Sequence, residues 1–412
     1  MKKPLPLLRF PAVATLAAGA LLCAGCFGTD LPPASGSEGT DRDPARTEEL
    51  SAFTTAFVTA SDRHENGKGN NLTSLLELAL AGSPVTPTLV LLDGDYVGGG
   101  GGGNPEFSVF DLYDEVDAAI PGTPEVLATY GSHDINCTEG YDAFFTGPVR
   151  LDGFYAYGIS FAQMTYATDA EMAEALAKAK KQDAPPPKPP EGGGGHGEGG
   201  DPPPGGGGGG GGQPPKDRGY DGLDQDDPNG ISAESGAASF LNWVSTLGDS
   251  DPIVVASHVP LHANRGDNPG ALTWFDALQT AAASHDVIFL WAHNHTMEEH
   301  LHEGEESVDR DYYLLAPGDS LTLQGPKDVG TVREKIGFTY LNAGYVKLGF
   351  VTVISFTDYN RSGTYDRMRI QRFGLDPDQP ETTFGDTGRP NPYNAWLRFS
   401  AGPHRVYPKR ND

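Results

Sequence analysis

Cysteine, basic side chains and long apolar runs are all scarce in this chain, and each shortage removes a class of structure or partner. There are 3 cysteines in 412 residues, Cys23, Cys26 and Cys137. With Cys23 and Cys26 both taken up by export processing at the N-terminus, no second cysteine is left for Cys137 and no intramolecular disulfide is expected. Lysine and arginine total 29 against 56 aspartates and glutamates, for a formal net charge of -27. Such a surface offers no basic footprint to a phosphate backbone, so no nucleic-acid polymer is expected as a partner. Small anions are repelled by the same field unless bound divalent metals invert it locally. The apolar stretch near the N-terminus is too short for a comfortable transmembrane span.

That N-terminal stretch reads MKKPLPLLRFPAVATLAAGALLCAGC. A basic start (Lys2, Lys3, Arg9), an apolar run and then small residues form the grammar of a secretory signal. Its end resembles a bacterial lipoprotein lipobox, with Ala24 and Gly25 before Cys26, although Cys23 stands where Leu is usual. The resemblance implies a signal peptide over 1–25, acylation of Cys26 and a lipid-anchored protein of the bacterial cell envelope. An ordinary cleaved signal peptide is the alternative. Residues 26–49 then read as a polar tether.

The chain has 37% hydrophobic residues, enough for a core, while 55 glycines and 34 prolines are clustered. The tract from Asp183 to Arg218 cannot bury a core and is expected to be a disordered insertion, with His196 as solvated filler. A second tract, Gly98 to Gly103, elaborates another loop. The folded domain is expected over 50–375, followed by a tail over 376–412. Strand-length runs rich in Val, Ile, Leu and Phe occur at 54–60, 88–94, 125–131, 252–258 and 287–293, with further candidates in 311–318, 337–344, 348–357 and 365–373. Helical spacing marks 74–82, 171–181, 234–248 and 271–284. The result is an α/β body with a strand-rich second half.

Polar residues at the carboxyl ends of buried strands are where α/β folds place ligand sites. The first five runs lead, in order, to Asp62 and His64, to Asp95, to His133 and Asp134, to His258, and to His293 and His295. The last of these segments, WAHNHTMEEHLH, holds four of the chain's 11 histidines. Aspartate oxygen and imidazole nitrogen suit Mn, Fe, Zn or Co rather than soft ions. Residues two apart on a strand-to-loop segment point to one side, so Asp62 with His64, and His293 with His295, can converge on one centre.

The order of these blocks resembles the calcineurin-like metallophosphoesterase family, whose pattern runs D-x-H, G-D, G-N-H-[D/E], H and G-H-x-H. Here the blocks are Asp62-Arg63-His64, Gly94-Asp95, Gly131-Ser132-His133-Asp134, His258 and Ala292-His293-Asn294-His295. The resemblance implies a four-layer α/β/β/α sandwich and two divalent or trivalent transition metals (Mn, Fe or Zn). It places Asp62, His64 and His295 on one metal, His258 and His293 on the other, and Asp95 between them. It implies hydrolysis of a small or lipid phosphate ester, monoester or diester, by direct attack of metal-bound hydroxide. His133 protonates the leaving group or stabilises the transition state, and Asp134 fixes its orientation. Ser132 stands where the family has an Asn that reaches the second metal, and serine is a shorter and poorer neutral ligand.

A cupin box fits His293, His295 and Glu299, but Val287 and Glu306 occupy its glycine positions. The letters HNH alone carry no nuclease context. A catalytically degenerate, surface-anchored binding module that keeps the fold is the alternative function. It is distinguished by whether substitution of Asp95 abolishes activity. His262, His300 and His302 are expected at the surface or supporting ligands, and His285 and His404 in solvent. Asp93 is expected to support its turn, Trp243, Trp274 and Phe240 to lie in the core, and Tyr96 and Asn136 to be candidates for substrate contact.

Overall fold

Strands that are apolar at every position require cover on both faces, and here that cover comes from helices on one side and a second sheet on the other. The computed structural model describes residues 55–64, 72–97, 107–120, 122, 124–134, 137–139, 143–182, 231–262, 268–293, 314–324, 331–346, 350–358, 364–374, 394–399 and 404–405. The expected leader and tether, the insertion at 183–218, the tract Gly98–Gly103, and His196, Asn136, His295, His300 and His302 lie outside these residues.

In chain order come β1 (Thr55–Ala60), α1 (Leu72–Gly82), β2 (Leu89–Asp93), α2 (Val109–Ala119), β3 (Glu125–Thr129), β4 (Gly147–Leu151) and β5 (Phe154–Ile159). Then follow α3 (Phe161–Thr165), α4 (Asp169–Gln182), α5 (Ala233–Val244), β6 (Ile253–Ser257), α6 (Ala271–Ala281), β7 (Val287–Trp291) and β8 (Leu314–Leu315). The last are β9 (Thr339–Asn342), β10 (Gly344–Tyr345), β11 (Phe350–Thr357), β12 (Arg367–Gly374) and β13 (Asn394–Arg398). One sheet has the order β13-β12-β11-β1-β2-β3, with β10 on β11, and the other has the order β8-β9-β7-β6-β5-β4. In the first, β1, β2 and β3 run parallel. In the second, β5, β6, β7 and β9 run parallel.

Strand alternation divides the core into two kinds of layer. Phe57, Leu89 and Leu91 of the first sheet meet Phe154, Val254, Ala256, Ile288 and Leu290 of the second. Phe57 stacks on Phe154 with ring centroids 5.4 Å apart, and Phe356 meets Phe154 edge-on at 5.4 Å. The opposite faces take the helices. Leu72, Leu75, Leu76 and Ala79 of α1, at helical spacing, pack with α2 on Ala56, Val58 and Val90. Phe240 of α5 and Trp274 of α6 pack on Tyr157, Val255 and Phe289. The layers are therefore α/β/β/α.

Several elements depart from the sequence expectation, and three departures show why. The first is the α2 helix, capped by Ser108, whose hydroxyl accepts from the Phe110 N–H at 3.2 Å. The second is the β4–β5 hairpin, which turns through Asp152-Gly153 with Gly153 at φ 89°. An Asp-Gly step between apolar runs is a strong hairpin signal, so its cue was present in the sequence. Third, residues 394–398, expected in a tail, form β13 against β12, with Ala395 and Leu397 facing the inter-sheet core.

Trp274 is the largest fully buried side chain in the α5–α6 layer and touches Phe240 and Tyr157 at 5.8 and 6.2 Å. Trp274→Ala is expected to lower the unfolding free energy by about 3–5 kcal/mol in denaturant titration. A loss below about 1 kcal/mol would mean that this layer is not part of the cooperative core.

Candidate metal centre

Each parallel strand of the inner pair of layers hands over to a polar segment, and the backbone there is unusual. Among the described residues, four other than glycine have positive φ: Asp62 (49°), His64 (45°), Asp95 (56°) and His293 (69°). Left-handed backbone costs an L-residue about 1–2 kcal/mol, so it persists only where surroundings over-determine it. They do so here. Asp62 donates its N–H to the Gly94 carbonyl at 3.0 Å, and His64 to that of Asp95 at 3.1 Å. Two glycines are dictated by space: a Cβ on Gly94 (φ 77°) would lie 2.6 Å from His258 Nδ1, and one on Gly131 would lie 2.2 Å from the Asp95 nitrogen.

Asp95 is the focus. Its Oδ2 lies 3.1 Å from His258 Nε2 and 3.8 Å from both His64 Nε2 and His133 Nε2. Its Oδ1 accepts from the His133 N–H at 2.8 Å, and the Ser132 hydroxyl stands 3.2 Å from both oxygens. His293 Nδ1 is 3.2 Å from His258 Nε2 and 3.5 Å from Ser132 Oγ. Asp62 faces the same space, with Oδ1 3.4 Å from His64 Nε2 and Oδ2 accepting from the His293 N–H at 3.3 Å.

Two sets of donors fall within 4.8 Å of one another: His64, Asp95 and His133, and Asp95, His258 and His293. Asp95 belongs to both. Donors that share a metal at about 2.0–2.2 Å must stand roughly 3 Å or more apart, as these do. The tautomer of His258 fits as well: Nδ1 lies 2.7 Å from the Asp93 carbonyl, which only accepts. Nδ1 therefore carries the proton, and in the neutral ring the Nε2 lone pair faces Asp95 and His293.

The site concentrates negative charge away from water. Asp62, Asp93, Asp95 and Asp134 are all buried. Burial raises Asp93 to about 7, with Asp62 and Asp95 adding to the effect. Burial and the neighbouring Asp95 likewise raise Asp134 to about 7. Burial pushes Asp95 upward too, but His258 and His133 outweigh it and hold that carboxyl well below the usual range. For His258, burial disfavours charge, yet Asp95, Asp62 and Asp93 together raise it to about 10. Among the described residues, the charge partners of Asp95 are histidines rather than lysine or arginine. The chemistry of this donor set fits divalent metal.

Of the residues expected at the site, Asp62, His64, Asp95, Ser132, His133, His258 and His293 converge, while His295 lies outside the described residues. Asp134 is close by but is engaged differently from expectation. Its carboxylate accepts the backbone N–H groups of Asp95 (3.0 Å), Tyr96 (2.9 Å) and Gly131 (2.8 Å), so it locks two ligand loops together rather than the His133 ring. Tyr96, a candidate for substrate contact, is buried, and its hydroxyl lies 2.8 Å from the carbonyls of Leu92 and Thr129. Asp93 supports the turn through its carbonyl bond to His258. His285 is buried against the Asp249 carbonyl rather than solvated, and His262 is fully buried. Sequence reasoning passed over Ser61, whose hydroxyl bonds Asp62 Oδ2 at 2.7 Å and the Gly344 carbonyl. A hydroxyl beside the first aspartate was its only cue.

Comparison with known proteins gives one match of family scale. The model of the calcineurin-like phosphoesterases matches residues 56–297. No curated protein matches the chain. Among solved structures, the phosphopantetheinyl hydrolase of Mycobacterium tuberculosis is similar over 72% of this chain and 92% of its own, at 13% identity and a TM-score of 0.27.

The charge balance predicts how metal-free protein responds to pH. His258 keeps its proton up to about 10 when folded, against 6.5 as a free side chain, so its contribution is complete below pH 6.5 and lost as pH rises through 10. Asp93 and Asp134 ionise near 7 rather than 3.8, so folding is penalised progressively between those values. Both effects have the same sign. Urea midpoints of chelated protein are expected to fall as pH rises from about 4 to about 10, and a midpoint that climbs over this range would refute the charge balance.

Proposed function

The chain belongs to the calcineurin-like phosphoesterase family and is a metal-dependent hydrolase of phosphate esters, and from that premise we propose that Asp95 bridges two metal ions in a dinuclear centre. The observation that carries this is the membership of Asp95 in both donor sets. On this reading His64 of the first set, joined by Asp62 and by His295 on the resemblance, would hold one metal, with His133 of that set left to the substrate, while His258, His293 and Ser132 would face the other. Two ions there supply Lewis acidity toward phosphoryl oxygens and an activated water.

The chain's own residues divide the remaining work. His133 and His293 are the partly exposed imidazoles of the cluster, the His133 side chain 34% accessible, while those of His64, His258 and Asp95 are 4% or less. With His293 assigned to a metal, His133 is the imidazole left open to a substrate, suited to donate a proton to the departing alkoxide. Its backbone N–H on Asp95 Oδ1 keeps the ring over the bridge. Asp134 holds the Asp95 and Gly131 loops at fixed separation. Ser132 adds a hydroxyl where a longer amide would reach further. The acidic surface favours a small ester over a polymer, either monoester or diester. The leader grammar of residues 1–26 supports action at the cell envelope, with the lipid on Cys26 as anchor.

Elemental mass spectrometry of the purified protein, paired with hydrolysis of para-nitrophenyl phosphate and its bis ester, tests the proposal. About two transition metals per chain are expected, with activity lost on chelation. Asp95→Asn is expected to lose metal and turnover together. His133→Asn is expected to keep both metals while kcat drops about 10²–10⁴-fold. Loss of a metal in His133→Asn would make it a ligand instead. Undiminished hydrolysis in Asp95→Asn would exclude Asp95 as the bridge. Ser132→Asn is expected to tighten the weaker metal equilibrium, and a weaker one would mean that the hydroxyl bond to Asp95 matters more than reach.

A further inference from the structure

Two buried histidines stand at opposite ends of β6 and β7, outside the donor sets of the centre. His285 precedes β7, with Nε2 3.0 Å from the Asp249 carbonyl and Nδ1 2.9 Å from Ser284 Oγ. His262 lies at the other end, closing the turn that starts at His258, and is fully buried. Burying an imidazole where Leu or Phe would pack is costly unless its polar atoms are used.

At His262 they are used in a particular way. Nδ1 is 2.7 Å from the Tyr340 hydroxyl, and the N–H groups of Leu261 (2.9 Å) and His262 (3.3 Å) donate to that same oxygen. With two N–H donors on its lone pairs, the phenol gives its single proton to His262 Nδ1. Tyr340 is on β9, and its ring stacks on Trp291 at 5.7 Å. The His262 ring meets Trp291 edge-on at 4.7 Å. Trp291 ends β7, two residues before the left-handed His293. The Asn268 amide holds the carbonyls of Pro260 (2.7 Å) and His262 (2.9 Å), and the Ala292 N–H reaches the His258 carbonyl at 3.1 Å.

We propose that His262, acting through Tyr340 and Trp291, is a positioning residue that holds the His258 turn against the end of β7, so that His258 and His293 face Asp95 together. This rests on the reading of the centre given above. The two imidazoles come from different segments, and His293 occupies a backbone conformation it would leave if its neighbours allowed. His262 touches both segments: its backbone ends the His258 turn and its ring packs on Trp291, the residue that launches His293. The clamp is built from phenol hydrogen bonds and ring packing, so it brings no carboxylate to a site already crowded with them.

The test is Mn²⁺ titration of the full-length chain, followed by calorimetry and by the paramagnetic resonance of the spin-coupled pair, with the melting temperature taken on the same samples. His262→Ala is expected to weaken the weaker Mn²⁺ equilibrium roughly 10- to 100-fold and to lose the coupled-pair signal at equal metal. His262→Asn keeps an acceptor for the Tyr340 proton and is expected to recover most of both. His285→Ala removes a buried imidazole from the opposite end of the same strands and is expected to lower the melting temperature without moving Mn²⁺ binding. If His262→Ala melts earlier yet binds Mn²⁺ as wild type does, the proposal is overturned and His262 is an ordinary core residue. Should that variant not fold, Tyr340→Phe, which removes only the shared oxygen, decides by the same readouts. Wild-type protein that takes up no Mn²⁺ would overturn the centre itself, a result distinct from variants that match a metal-binding wild type.

Discussion

Buried carboxylate needs positive charge, and the architecture of this protein follows from that need at one place. Asp62, Asp93 and Asp95 sit at the carboxyl ends of β1 and β2 with 2% exposure or less. Taking such groups out of water costs several kcal/mol each unless a cation or its equivalent is close. Histidine nitrogens surround Asp95 instead of a lysine or arginine head group, and their lone pairs can be turned toward a metal. Without metal, the same demand is met by a proton held on His258.

The fold makes this concentration possible by packing two sheets face to face, so that the carboxyl ends of their parallel strands meet. β1, β2 and β3 deliver Asp62, Asp95 and His133 from one side, and β6 and β7 deliver His258 and His293 from the other. The inter-sheet layer of Phe57, Leu91, Phe154, Val254 and Leu290 sets their separation. Well-packed interiors do not yield by fractions of an ångström without cost, so that spacing passes directly to the ligands. The strained backbone at Asp62, His64, Asp95 and His293 is sustained the same way, by hydrogen bonds between neighbouring ligand loops and by glycines where no Cβ fits. The carboxylate of Asp134, spent on three backbone donors, is part of that framework. Its burial is tolerable because each bond it accepts fixes a loop that carries a ligand or lies against one.

Much of this was legible in the sequence for a simple reason. Strands buried on both faces write themselves as unbroken apolar runs, and the residue after each run is where a parallel strand must turn toward ligand. Gly94 and Gly131 were readable as turn residues, but the contacts that forbid any side chain there, with His258 Nδ1 and the Asp95 nitrogen, join segments far apart in the chain. The hairpin at Asp152-Gly153 carried its own cue and could have been read. β13 could not, because a short edge strand after a long polar stretch gains its identity only by pairing with β12.

Roles, in contrast to positions, depended on distances between segments. The sequence alone supplied the donor atoms, Asp and His at the ends of those runs, and an α/β body from its apolar periodicity, while the four-layer arrangement was implied by the family resemblance of the ordered blocks. Tertiary structure alone decided that Asp95 is shared by two donor sets and that Asp134 serves backbone rather than His133. It also decided that Tyr96 locks a turn, and that His262 and His285, indistinguishable as letters, lie at opposite ends of the same strands. A residue's type limits the bonds it can make, but which of them it makes depends on neighbours tens to more than a hundred residues away that only the packed chain brings within about 3 Å.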